Sequence, residues 1–171
     1  ALKASMQTTN SRISPVIDLS RLSATLIGRR IDRQTNTPTT GFNVPASYVA
    51  ETDPVNGSAL AKHITKEVTL SEPAVGLKVL FAANRPSDTY IKLYYKVLAS
   101  GSDETFIDNE WTLATIDEEI ISDDDPNIFR EYVYTIEEDP FTRFVLKLVF
   151  ESTNQARYPQ VKDLRVIALA S

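Results

Sequence analysis

Aromatic and basic side chains alternate along residues 87–100, "SDTYIKLYYKVLAS". Successive side chains of a strand point to opposite faces, so this segment would place four of them on one face: Tyr90, Lys92, Tyr94 and Lys96. Exposed aromatic rings can stack on sugars, and together with Trp111 these four residues are the candidate interaction surface. The simpler interpretation is a solvated face of Tyr and Lys with Trp111 in the core. We favour it, unless a neighbouring subunit covers the face.

Three consecutive acidic residues, Asp123, Asp124 and Asp125, are the weak candidates for a metal site, because calcium takes about six to eight oxygen ligands. The D-x-D-x-D-G spacing is absent and Pro126 follows directly, which favours a solvated turn. The single histidine, His63, has no G-x-S-x-G nucleophile motif to serve. The five glycines form no phosphate-binding loop. We therefore predict no catalytic residue, no cofactor and no enzyme activity.

Composition narrows the classes of partner. The 171 residues fit one domain, and 42% hydrophobic content is enough for a core. The 23 acidic and 18 basic residues give a net charge of -5, which disfavours nucleic acid as a partner. There is no cysteine, and so no disulfide framework. No apolar run approaches the roughly 20 residues that span a bilayer, so we predict a soluble chain without membrane insertion.

The dominant periodicity is two residues, which is typical of β-strands. It is strongest over 89–98 and 143–151, where β-branched and aromatic residues are frequent. Weaker segments of the same type lie at 63–70, 76–83, 129–136 and 161–169. Turn signals separate them, among them "SEPAVG" at 71–76 and "EEDP" at 137–140. The pattern predicts an all-β fold, an antiparallel β-sandwich of the jelly-roll type.

The predicted domain has three parts. Residues 63–171 form the β-sandwich core, and residues 33–62 form an irregular excursion that is rich in proline and glycine breakers. Residues 1–32 form an extended N-terminal arm or edge strand. Within this arm the run 14–32 also fits a helical stripe, and we favour the extended form.

Four segments, 11–23, 57–70, 84–98 and 152–169, resemble virion structural proteins of contractile-tailed bacteriophages, in particular tail and baseplate components of T4-like viruses and cyanophages. The segments also follow the same order, whereas residues 33–56 have no counterpart. The resemblance implies a β-rich domain, often at the C-terminal end of a longer polypeptide, that is used in assembly. It implies other virion tail proteins as partners and a location in the virion, after a soluble stage in the host cytoplasm. No active-site residue is implied.

Two functions are compatible with these observations. The first is a non-enzymatic structural domain of a phage tail or baseplate that acts through protein–protein contacts and forms homo-oligomers. The alternative is a carbohydrate-binding module that recognises host surface glycans through Trp111 and the face of Tyr90 and Tyr94. A depolymerase ranks third, because the sequence nominates no pair of catalytic carboxylates.

Overall fold

The computed structural model describes residues 48–55, 57–154 and 157–170. Its strands are β1 (Lys62–Ile64), β2 (Val68–Asn84), β3 (Thr89–Leu98), β4 (Thr112–Leu113), β5 (Arg130–Ser152) and β6 (Gln160–Leu169). No helix occurs in these ranges, so none is present there that is long and apolar enough to cross a membrane. The prediction of an all-β fold is confirmed. The predicted arm, residues 1–32, lies outside the described residues, as does the excursion up to residue 47.

The six described strands form one antiparallel sheet. Its order is β4-β3-β5-β2-β6, and β1 pairs with β5 as well. Because every strand is hydrogen-bonded into this one sheet, the two-sheet, jelly-roll-like sandwich is not confirmed. The antiparallel arrangement agrees with the alternation of apolar and polar residues, which is typical of sheets with two different faces.

The two halves of β5 have different partners. The first half, residues 130–141, pairs with β2. The second half, residues 143–152, pairs with β3 along one edge, and with β1 and the first residues of β2 along the other. Since a strand has only two edges, the second half of β5 is an interior strand over residues 143–149.

Two of the predicted turns lie inside strands. The segment 71–76 belongs to β2 and the segment 137–140 belongs to β5, and the pairing of these two strands shifts register at this place. Pro73 and Pro140 lie in the two segments and cannot donate a backbone hydrogen bond, which is tolerated where a ladder is irregular. Both turn predictions are therefore wrong, because the chain changes register here and continues in the same strand.

One hydrophobic core takes side chains from both halves of β5 and from β2 and β3. Leu93 of β3 and Leu146 of β5 are fully enclosed, as the two-residue periodicity predicts. Phe81 of β2 stacks on Tyr132 of β5, with ring centroids 5.1 Å apart. Aromatic pairs in this geometry add to the stabilisation from buried area.

Residues 114–117, which follow β4 and lie outside the strands, cover one side of this core. The backbone N–H of Ala114 donates to the carbonyl of Leu93 in β3 at 2.8 Å, and that of Asp117 donates to the carbonyl of Val133 in β5 at 3.0 Å. The segment therefore joins the edge of β3 to the first half of β5.

At another place on the sheet, His63 of β1 and residues 161–164 of β6 line an open groove of about 240 Å³.

Gly76 lies in the register shift, and its backbone approaches β5 closely. A Cβ atom at this position would lie 2.5 Å from the carbonyl oxygen of Ile136. We expect Gly76→Ala to lower the free energy of unfolding by about 1–3 kcal/mol, because β2 would have to move away from its partner. Urea unfolding monitored by circular dichroism measures this change. An unchanged midpoint would mean that the two strands separate here without cost.

Candidate functional site

Three of the five residues of the predicted interaction surface are buried. Tyr94 is 6%, Lys96 3% and Trp111 4% exposed. The expectation that Trp111 lies in a core is confirmed, whereas the expectation of a solvated face is wrong at Tyr94 and Lys96, because two irregular segments cover this face of the sheet. One of them is residues 48–55 with 57–61, here called the strap, and the other is residues 105–111. Tyr90 and Lys92 are half-buried.

Under the strap, two lysine ammonium groups lie against one indole ring. The Nζ atoms of Lys96 and Lys147 are each 4.6 Å from the centre of the Trp111 ring, and that of Lys147 is also 4.9 Å from the centre of the Tyr94 ring. The negative face of an aromatic ring attracts a cation, and more strongly when both are removed from water. The cluster thus combines charges and rings on what the periodicity alone would read as an exposed face.

The two lysines attach the strap to the sheet. Lys147 Nζ donates to the backbone oxygen of Glu51 at 2.6 Å and lies 3.2 Å from Oε2 of the same residue. Lys96 Nζ donates to the backbone oxygen of Pro54 at 3.0 Å and to that of Phe106. Hydrogen bonds from a charged donor are stronger than neutral ones. An otherwise irregular segment is thereby held at defined points.

Burial changes the acidity of the cluster. Removal from water lowers the pKa of Lys147 to about 8, although the Glu51 carboxylate opposes the shift. Burial also lowers the pKa of Lys96. It raises the pKa of Tyr94 to about 12, with the carboxylates of Glu151 and Glu51 adding to the effect. In each case burial disfavours the charged form.

An amine with a lowered pKa is a better nucleophile, yet the side chain of Lys147 has no exposed surface. Its ammonium is also engaged by Glu51 and by two rings. The arrangement can hold the strap in place, and in this structure the amine has no open space in front of it for a substrate. The cluster is therefore best described as a polar second core.

Sequence reasoning overlooked Lys147 and Glu51 as members of this cluster. A signal was present for the first: Lys147 is the only charged residue in "FVLKLVF", residues 144–150, so an interior strand would have to bury it. No comparable signal marks Glu51, which lies in the segment predicted to be an irregular excursion. Its partners become apparent only when the strap lies over β5.

The three aspartates do not converge. Asp123 forms an ion pair with Arg130 at 2.9 Å, and Asp125 accepts from the backbone N–H of Asn127. Asp124 accepts from the N–H of Ser87 at 2.8 Å, and this hydrogen bond is the main reason why the pKa of Asp124 is lowered.

Each of these carboxylates thus serves the turn or an ion pair. Within the described ranges, no group of three or more metal-ligating side chains is placed to hold an ion. His63 is exposed and lines the groove between β1 and β6.

Comparison with models of protein families, with curated proteins and with solved structures found no match. The resemblance to phage tail and baseplate proteins therefore stays a prediction.

We expect removal of the Glu51 side chain to be strongly destabilising, because it leaves the buried ammonium of Lys147 without its carboxylate. Loss of one partner of a buried pair typically costs about 3–5 kcal/mol. The matched control is Glu131→Ala, since Glu131 pairs with Arg165 at 2.7 Å on the surface and exposed pairs contribute about 0–1 kcal/mol. Urea unfolding followed by Trp111 fluorescence compares the two variants. Equal losses would contradict the anchoring role.

The lowered pKa of Lys147 predicts a specific pH dependence. Between pH 8 and its ordinary pKa of 10.5, the unfolded chain keeps this proton while the native protein releases it, so the contribution of Lys147 to stability rises with pH. We expect the stability of the native sequence relative to Lys147→Met to increase by on the order of 2 kcal/mol from pH 8 to 10. Urea titrations at several pH values measure the difference.

Above pH 10 the buried tyrosines act in the opposite direction. The unfolded chain loses the Tyr94 proton near pH 10, whereas the native protein keeps it to about pH 12, so stability falls there in both proteins. A difference between native sequence and Lys147→Met that stayed flat or declined from pH 8 to 10 would overturn the assignment of Lys147.

Proposed function

We propose that this chain is a non-enzymatic structural domain of a phage tail or baseplate protein, located in the virion, that acts through protein–protein contacts and self-association. The observation that carries the proposal is a pair of exposed aliphatic side chains, one on the strap and one on the segment 105–111. Val55 is 72% and Ile107 70% exposed. We call these two residues the strap patch.

The strap patch is held in place by Lys96. This ammonium binds the carbonyls of Pro54 and Phe106, and these residues directly precede Val55 and Ile107. One ammonium group thus holds two segments that are distant in sequence, and each segment carries an exposed aliphatic side chain directly after the bound carbonyl. Exposed apolar residues on such a support are typical of interaction sites, and a fixed backbone lowers the entropic cost of association.

The exposed edge of β6 is poorly suited to pairing with a strand of another chain, which favours contact through the strap patch. Asp163 has a left-handed backbone with φ 58° and lies where β6 changes register against β2. Lys162, Asp163 and Arg165 add exposed charges along this strand. Bulges and charges are devices that prevent edge-to-edge pairing. We therefore propose a second copy of the chain as the partner of the strap patch.

The carbohydrate alternative draws no support from the originally predicted surface. Trp111 and Tyr94 lie under the strap, where a sugar could reach them only if the strap were displaced. Of that surface, only Tyr90 and Lys92 are partly accessible, and Lys92 forms an ion pair with Glu151 at 2.8 Å.

The test is light scattering coupled to size-exclusion chromatography over a concentration series. We expect a defined oligomer, and we expect Val55→Glu combined with Ile107→Glu to weaken it at least about tenfold, because charges would replace two aliphatic side chains that association would bury. The control is Ile121→Glu, since Ile121 is 79% exposed on a different segment. A strict monomer at all concentrations, or equal effects of both changes, would overturn self-association through the strap patch.

A further inference from the structure

A second groove, of about 210 Å³, lies where the ends of three strands meet. It is lined by residues of 84–86 at the end of β2, of 124–126 in the loop before β5 and of 157–160 at the start of β6. We propose that this groove binds a neutral pyranose sugar. The proposal is independent of the strap patch, with which the groove shares no residue.

Tyr158 supplies an aromatic platform at the groove. Its side chain is 57% exposed, which is unusual for a residue whose ring would gain from burial. A pyranose has an apolar face of C–H groups that packs on such a ring. Pro86 and Pro126 add further rigid apolar surface to the lining.

The polar groups of the groove favour a neutral ligand. Asp124 and Arg157 are the charged residues of the lining, and they pair with each other at 3.0 Å. An anionic or cationic ligand would have to compete with this pair. Sugar hydroxyl groups both donate and accept, so they can bind a carboxylate, a guanidinium and the carboxamide of Gln160 together.

The groove is preorganised by Asn84, which is 1% exposed. Its Nδ2 donates to the backbone oxygens of Asp125 and Ile128 at 2.8 Å and lies 3.3 Å from that of Asp123. The loop that carries Asp124 is thereby fixed.

The other polar atom of the same side chain, Oδ1, has no hydrogen-bond partner among the described residues. A buried acceptor without a partner is rare in native proteins. Asn84 is itself one of the residues that line the groove.

Saturation-transfer NMR with D-glucose, D-galactose, D-mannose and N-acetyl-D-glucosamine tests the proposal. We expect at least one of them to bind, and Tyr158→Ala to weaken it about fivefold to tenfold. Tyr158→Phe, which keeps the ring, retains binding. The control is Tyr48→Ala, since Tyr48 is a 43% exposed tyrosine on the strap.

Circular dichroism of each variant confirms that the fold is kept. Absence of binding for all four sugars would overturn the proposal, and so would equal binding by the native chain and Tyr158→Ala. Binding of the anionic sugar N-acetylneuraminic acid alone would also overturn it, because the ion pair of Asp124 and Arg157 would then not disfavour a charged ligand. None of these outcomes depends on the oligomeric state.

Discussion

The interior position of the second half of β5 constrains the rest of the structure. This half has strands on both edges, and its side chains are buried on both faces: Leu146 and Leu148 in the main core, Val145 and Val149 under the strap. The side chains of the first face pack in the main core with side chains of β2 and of the first half of β5. The second face has no further strand to cover it among the described residues, so irregular chain must do so, and irregular chain brings backbone carbonyls that need donors.

Lys147 supplies a donor for a strap carbonyl, and its own buried charge then needs a partner. Its ammonium satisfies a strap carbonyl, but a buried charge needs compensation, which Glu51 and the ring of Trp111 provide. Such an arrangement is weak evidence for stability in itself, because desolvation offsets much of the attraction. Its consequence is positional. A strap shifted along β5 would leave both Lys147 and Glu51 without partners, so the buried pair selects one placement of the strap.

Buried side-chain donors also bind backbone carbonyls beneath the strap patch and beside the groove. Lys96 binds carbonyls of two segments beneath the strap patch, and Asn84 binds carbonyls of the loop beside the groove that Tyr158 lines. In both places a buried side-chain donor replaces the ladder that irregular chain lacks. Val55 and Ile107 directly follow the carbonyls that Lys96 binds, although neither of them lies in a strand. Fixed loops can bind with a smaller loss of conformational entropy than free ones.

The sequence by itself determined the all-β class and the main core, because the two-residue periodicity of 89–98 and 143–151 follows directly from alternating burial in strands. It also carried one local sign of the second core, a lone lysine within "FVLKLVF". Only the tertiary structure decided that Tyr94 and Lys96 are buried, that 71–76 and 137–140 remain in strands, and that Tyr158 lies beside Asp124 and Asn84. These features depend on which distant segment covers which face. Local periodicity shows that apolar and polar side chains alternate along a strand, and it carries no information about which segment packs against the polar face.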